Sequence, residues 1–215
     1  MPQPEKVYHG DNPLTSVTFL RGKVKKKLDD LTPTSAPGPD RLWPRVLCNL
    51  SDVLSEPLAI IYSKCLEEGV VPNDWKLAHI TPIFKKGSKA AAGNYRPVSL
   101  TCVLCKVMES IIKDAVMEHL SSNNLIKSTQ HGFMPRRSCL TNMLEYLEEL
   151  TKLVDKGHSV DVVYLDFAKA FDKVPHLRLA QKCEGHGIQG KVLDWIVEWL
   201  AGRQQRVVLN GKLSG

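Results

Sequence analysis

Val160-Asp161-Val162-Val163-Tyr164-Leu165-Asp166-Phe167-Ala168-Lys169-Ala170-Phe171-Asp172 is the stretch with the most to say about architecture. Its first six residues are apolar except for Asp161, which predicts a largely buried strand over 160–165. Asp166 then stands at the strand end. Alternation puts Asp166 on the face of Val160, Val162 and Tyr164, with Asp161 on the other, where a surface charge is expected. A carboxylate held by a sheet is a good ligand for a hard cation, and two-metal phosphoryl-transfer sites are assembled from such groups. Aspartate also caps helices and closes turns, and the pattern alone leaves both readings open.

Downstream, Val192, Leu193, Ile196, Trp199 and Leu200 predict a last helix closed by Gly202, followed by a strand at Arg206-Val207-Val208-Leu209. Leu209-Asn210-Gly211-Lys212 carries the Asn-Gly pair that favours a type I′ hairpin turn. The returning strand is so short that the chain is expected to stop inside a folding unit. Upstream, Leu140, Met143, Leu144, Leu147, Leu150 and Val154 predict an amphipathic helix ended by Gly157, and Leu104, Val107, Met108, Ile111, Ile112, Ala115 and Val116 predict another over 103–120. Val46, Leu47, Leu50, Val53 and Leu54 predict a helix that Ser55-Glu56-Pro57 caps and restarts, the second running to Gly69. Residues 78–84 alternate as a strand, with Pro82 placing it at an edge or beside a bulge.

The segment before Thr32 holds few apolar anchors and includes Arg21-Gly22-Lys23-Val24-Lys25-Lys26-Lys27. It predicts a basic, weakly ordered arm over 1–31. Thr32-Pro33-Thr34-Ser35-Ala36-Pro37-Gly38-Pro39-Asp40 is a turn-rich loop and a natural boundary.

Composition narrows the classes. At 215 residues, 43% hydrophobic and 24% charged, the chain is neither collagen-like nor wholly disordered nor a disulfide scaffold. The formal charge of +6 suits a polyanionic partner. Every apolar run is interrupted well short of the roughly 18 residues a membrane span requires. The amino terminus lacks the pattern of a signal peptide, so the expected location is intracellular, nuclear or cytoplasmic, and not secreted. Cys48, Cys65, Cys102, Cys105, Cys139 and Cys183 lie mostly singly in apolar segments and are expected to be reduced structural thiols.

Two basic loops carry further chemistry. Lys85-Lys86-Gly87-Ser88-Lys89, followed by Asn94-Tyr95-Arg96-Pro97, offers point charges and a forked guanidinium for phosphate oxygens, or simply a solvated charge run. Gln130-His131-Gly132-Phe133-Met134-Pro135-Arg136-Arg137-Ser138 reads as a nucleic-acid contact or as a turn whose Ser138 caps the next helix. Cys102-x-x-Cys105 and Cys183-x-x-His186 hold zinc-ligand types, but the first pair sits at the mouth of an apolar helix and the second in a separate Gly-rich loop. Core packing is expected for them. His131, His176 and His186 have no nucleophile-elbow context, which leaves a hydrolase triad without support.

Taken in order, Ala36-Pro37-Gly38-Pro39-Asp40, Trp75-Lys76 through Thr81-Pro82-Ile83-Phe84-Lys85-Lys86-Gly87, Asn94-Tyr95-Arg96-Pro97-Val98-Ser99-Leu100, Gln130-His131-Gly132-Phe133 and Leu165-Asp166-Phe167-Ala168-Lys169-Ala170-Phe171-Asp172-Lys173-Val174-Pro175-His176 closely resemble the reverse transcriptase of LINE-type (non-long-terminal-repeat) retrotransposons, particularly its jockey-like branch. The resemblance implies an α+β fold of right-hand polymerase fingers (32–158) and a partial palm (159–215), mostly helical with a small incomplete sheet. It implies Asp166 as first catalytic aspartate and Mg²⁺ ligand, the Phe167 carbonyl as a further metal contact, and Phe171 as the aromatic beneath the sugar that excludes a ribose 2′-hydroxyl. Arg96, with Lys85 or Lys86, falls where the fingers close on the triphosphate. The implied partners are an RNA template, a DNA primer and dNTP, with no membrane.

The departures from that pattern bear on activity. The family continues into a Pro-Gln-Gly segment and an Ala-Asp-Asp strand turn that supplies the remaining metal carboxylates. Residues 173–215 contain only Glu184, Asp194 and Glu198, and the last two are expected to face solvent on the final helix. The expectation is therefore a fragment of an RNA-directed DNA polymerase that is inactive alone. The alternative is a non-catalytic nucleic-acid-binding module that uses its basic loops.

Overall fold

Val24 and Leu28 stand one helical turn apart among lysines, and that spacing is enough to seat the basic amino-terminal segment on the core. The structure, a computed structural model, describes residues 5–209 and 211–214. In it α1 (Arg21–Asp29) buries both side chains completely, with Phe19 just before it also in the core. The weakly ordered arm is thus corrected: two apolar residues four apart make a stripe on an otherwise solvated helix. Residues 7–14 are also tied down. The Val7 and Tyr8 amides donate to the Gly185 carbonyl, and Leu14 exchanges bonds with Gly187 and Gln189. Gly187, at φ +80°, admits the Tyr8 ring at a point where a Cβ would lie 2.4 Å from it.

α2 (Pro44–Asn49) and α3 (Ser51–Glu68) meet at Leu50, so the break falls before Ser51 and not at Ser55-Glu56-Pro57. Pro57 lies inside α3. It removes the helical donor to the Val53 carbonyl. One turn earlier the buried Ser55 hydroxyl donates to the Asp52 carbonyl, and the Arg21 guanidinium donates to both Ser55 Oγ and that carbonyl. After α4 (Asn73–Lys76), β1 (Leu77–Phe84) and β2 (Tyr95–Thr101) form a hairpin, and α5 (Val103–Ser122) buries Val107, Met108, Ile111 and Ile112 as its periodicity predicts.

α6 (Cys139–Asp155) starts at Ser138, whose hydroxyl and Thr141 form a reciprocal capping box. The helix forms where its periodicity predicts, yet Leu140, Met143, Leu144, Leu147 and Val154 are all exposed. α7 (His176–Gly185) has no counterpart in the sequence pattern, and it places Cys183 on a helix and not in a Gly-rich loop. α8 (Gly190–Leu200) buries Val192 and Trp195, and the Trp195 and Trp199 rings stack 6.1 Å apart. Glu198 on α8 is ion-paired with Lys76 and so is not the free surface charge expected, whereas Asp194 is exposed.

β3 (Gln204–Leu209) pairs with β1 in parallel over Leu77–Ile80, and β4 (Lys212–Leu213) returns against β3 across Gly211. Asn210 of the expected Asn-Gly turn lies outside the described residues. The sheet order is β2-β1-β3-β4. The described residues thus make eight α-helices and a four-stranded mixed sheet, an α+β arrangement.

The strand expected over 160–165 does not form: residues 158–167 carry no regular structure and Val162 to Leu165 are exposed. An apolar run becomes a strand only when a neighbouring ladder accepts its amides, and this run has none. The chain divides into two compact units, one running to His119 and resuming at His176, the other Leu120–Pro175. The first holds the core, which includes Tyr62, Leu66, Met108, Val192 and Trp195.

Candidate functional site

The β1–β2 hairpin begins in the core and ends in water. Ala78 and Ile80 are buried, while Ile83, Phe84 and everything from Lys85 to Ala91 are exposed. The basic loop therefore caps a two-stranded projection. Its conformation is fixed from within: the Lys85 amide donates to the Asn94 carbonyl at 2.8 Å, Asn94 Nδ2 donates to the Ser88 carbonyl at 2.8 Å, and Tyr95 Oη donates to the Lys89 carbonyl at 2.9 Å. Gly87, at φ +87°, leaves room for the Asn94 amide, which a Cβ would meet at 2.7 Å. Phe84 and Tyr95 meet edge-on beneath the loop, and Lys89 Nζ sits 5.8 Å from the Phe84 ring centroid.

Arg96 pairs in register with Ile83, so the two share a sheet face opposite that of Phe84 and Tyr95. Lys85, Lys86 and Arg96 are exposed, and among the described residues none makes an ion pair. Three cations on a braced tip are available to a polyanion.

The other compact unit carries the remaining candidates. His131 is fastened to α6 through Nδ1 and the Thr141 hydroxyl at 3.0 Å and through Nε2 and the Glu145 carboxylate at 2.6 Å. Arg137 donates to the Ser128 carbonyl and lies 3.8 Å from the same carboxylate. His131 of this basic turn is thus tied to α6 and Ser138 caps that helix, while Phe133 and Arg136 are exposed. Phe133 and Arg136 have φ of 61°, a left-handed conformation that costs a non-glycine residue on the order of 1 kcal/mol.

Asp166 and Phe167 lie exposed in the irregular segment before a turn at 168–173, where Lys169 also has positive φ (54°). Asp166 is therefore presented by a loop and not by a strand end, and it shares no strand face with Val160, Val162 or Tyr164. Tyr164 instead hydrogen-bonds through its hydroxyl to that of Tyr146 on α6 at 3.1 Å. Phe171 meets Phe133 edge-on, with centroids 6.1 Å apart and an 85° interplanar angle. The sequence gives no sign of that contact, since the two lie in separate motifs; the one available signal is that both are aromatic residues in turn-rich, polar surroundings.

Among the described residues no three His, Cys, Asp or Glu side chains converge on a point where a metal would sit. One exposed carboxylate does not fit a pair of Mg²⁺ ions, which need bridging ligands at about 3.5–4 Å metal spacing. Among the described residues Cys102, Cys105, Cys183 and His186 likewise form no group of three or more metal-ligating side chains. Cys102 is instead buried, donating to Asp40 Oδ2 at 2.8 Å, and burial together with that carboxylate pushes its thiol up to about 12. All six cysteines are free thiols, Cys139 alone being exposed.

The span that holds both the hairpin tip and Asp166 is also the span that matches a known family: the model for reverse transcriptase (RNA-dependent DNA polymerase) matches residues 83–215. The chain is 30% identical over 173 residues to the RNA-directed DNA polymerase from mobile element jockey of Drosophila melanogaster, covering 80% of this chain and 19% of that protein. It is 26% identical over 190 residues to the jockey polymerase of Drosophila funebris, covering 88% of this chain and 21% of the relative. It is 25% identical over 163 residues to the Pol polyprotein of the type-2 retrotransposable element R2DM of Drosophila melanogaster, covering 76% and 15%. The chain thus spans about a fifth or less of the length of these curated relatives. With Lys85, Lys86, Arg96, Asp166, Phe167 and Phe171 all inside the matched span, the chain belongs to the reverse transcriptase (RNA-dependent DNA polymerase) family.

Proposed function

We propose that these 215 residues form the fingers and the first palm motif of a right-hand RNA-directed DNA polymerase, with fingers over 32–158 and partial palm over 159–215. In this reading Lys85 or Lys86, with Arg96, grips the phosphates of an incoming dNTP. Phe171 lies beneath its sugar, and Asp166 with the Phe167 carbonyl contributes to holding Mg²⁺ when the remaining carboxylates are supplied from outside these residues. RNA template and DNA primer are the partners. The observation that carries the reading is the exposed, internally braced hairpin tip, whose three cations have no ion-pair partner among the described residues.

The 215 residues by themselves do not transfer nucleotides. Phosphoryl transfer depends almost entirely on positioning and charge neutralisation, and a lone exposed carboxylate provides neither for two metal ions. What the chain's own residues do is bind: the lysines and arginine neutralise phosphate charge, and exposed aromatic rings offer stacking surface. Phe133, Phe167 and Phe171 are each at least 80% exposed, which favours single-stranded nucleic-acid binding as the second reading.

Primer extension on an RNA template with dNTPs and Mg²⁺ tests the first reading: no product is expected from the 215-residue chain. Incorporation that disappears in Asp166→Asn would show the active site to be complete. Binding of RNA without incorporation, even after the missing carboxylates are restored in a longer polymerase chain, would select the second reading.

Among the described residues no helix is long and apolar enough to cross a membrane.

A further inference from the structure

The two turns that bring Phe133 and Phe171 together are not equally secured. The Phe133 turn is fastened to α6 by His131 through Thr141 and Glu145 and is braced internally by Arg137 donating to the Ser128 carbonyl and by Gln130 Nε2 donating to the Gly132 carbonyl at 3.0 Å. Among the described residues the Phe171 turn is held by the backbone bonds Lys173 N to Lys169 O at 3.2 Å and Val174 N to Phe171 O at 3.4 Å, with Lys169 in the left-handed region and no side-chain hydrogen bond to a helix. Both rings are exposed, Phe133 by 89% and Phe171 by 80%, so neither is placed by burial in a core. Their edge-to-face contact is then what orients the less secured ring.

We propose that Phe133 is the positioning residue for Phe171, and that through this contact the His131-anchored turn sets how strictly the nucleotide sugar is read. The inference rests on the reading of Phe171 as the sugar-contacting aromatic. An aromatic that excludes a 2′-hydroxyl works by occupying one particular volume, so a ring free to swing discriminates less, and a displacement of about 1 Å is enough to matter. Phe133 itself need not touch the nucleotide.

The test is fluorine NMR of the 215-residue chain carrying 4-fluorophenylalanine at its five phenylalanines, with the Phe171 signal identified by its loss in Phe171→Leu. dCTP and CTP, which differ only at the 2′ position, are titrated separately in Mg²⁺ buffer. Phe133→Leu is expected to shift the Phe171 signal and to lower the dCTP-over-CTP preference about three- to tenfold, while Phe133→Tyr retains both. Phe133 is so exposed that its replacement leaves the fold intact, which far-UV circular dichroism verifies. A preference that survives Phe133→Leu overturns the proposal. Should neither nucleotide move the Phe171 signal even in a longer polymerase chain that supplies the remaining carboxylates, the sugar-contact reading fails and the proposal falls with it, an outcome distinct from a preference that persists.

Discussion

Pro82 and Pro97 face each other across the β1–β2 ladder. The bond from the Lys85 amide to the Asn94 carbonyl fixes the alternation of the hairpin and makes Pro82–Pro97 a non-hydrogen-bonded pair, where backbone nitrogens point away from the partner strand. Pro82 also lies beyond the Leu77–Ile80 stretch that pairs with β3, so neither proline deprives the ladder of a bond. β2 is an edge strand, and Pro97 turns a site without N–H toward the open edge. Pro97→Val is expected to leave the unfolding midpoint nearly unchanged while promoting self-association, read by light scattering against protein concentration.

Lys85 and Lys86 are predicted to act through charge alone. Lys85→Ala/Lys86→Ala is expected to weaken single-stranded RNA binding and to flatten the plot of log affinity against log salt by about 1.4, roughly 0.7 for each phosphate that is no longer neutralised. Fluorescence anisotropy across a KCl series measures it, and urea unfolding should match the unaltered protein because both side chains are exposed.

Leu28 tests the anchoring of the basic segment. Its side chain is fully buried, so Leu28→Ala is expected to cost about 2–5 kcal/mol in a urea unfolding curve. Lys23→Ala, on the exposed side of α1, should change stability by no more than about 0.5 kcal/mol.

Thiol reactivity separates the cysteines. Cys139 is exposed and should be alkylated by iodoacetamide at pH 8 in the native state. Cys102 should not be: with its thiol pushed up to about 12 by burial and then by the Asp40 carboxylate, it holds negligible thiolate at that pH. Asp40→Asn removes the charge and should increase the rate at Cys102 modestly, with burial still the larger barrier. Peptide mass mapping after timed labelling reports both.

Periodic helices are legible in the sequence because their burial follows from their own spacing, as in α5 with Val107, Met108, Ile111 and Ile112. β1 is legible from alternation and its proline. The 160–165 segment misleads because β-branched composition describes a tendency, whereas a strand exists only with a partner, and Tyr164 finds Tyr146 instead. α1 misleads for the opposite reason, since two buried residues among five lysines and arginines suffice when the rest of the helix faces water. At the site, Lys85, Lys86 and Arg96 are readable as charges on a loop. The Phe133–Phe171 contact is not, because edge-to-face geometry joins turns that lie far apart in the chain and that no local pattern links.

The tie between residues 7–14 and the Gly185–Gln189 turn has a consequence for synthesis on the ribosome. The first unit is discontinuous, so α1 to α5 leave the exit tunnel long before Val192 and Trp195 can complete their core. Throughout that interval the half-built interior stays open to solvent and to chaperones. Ribosome pausing at any point before α8 has cleared the tunnel would lengthen the exposure.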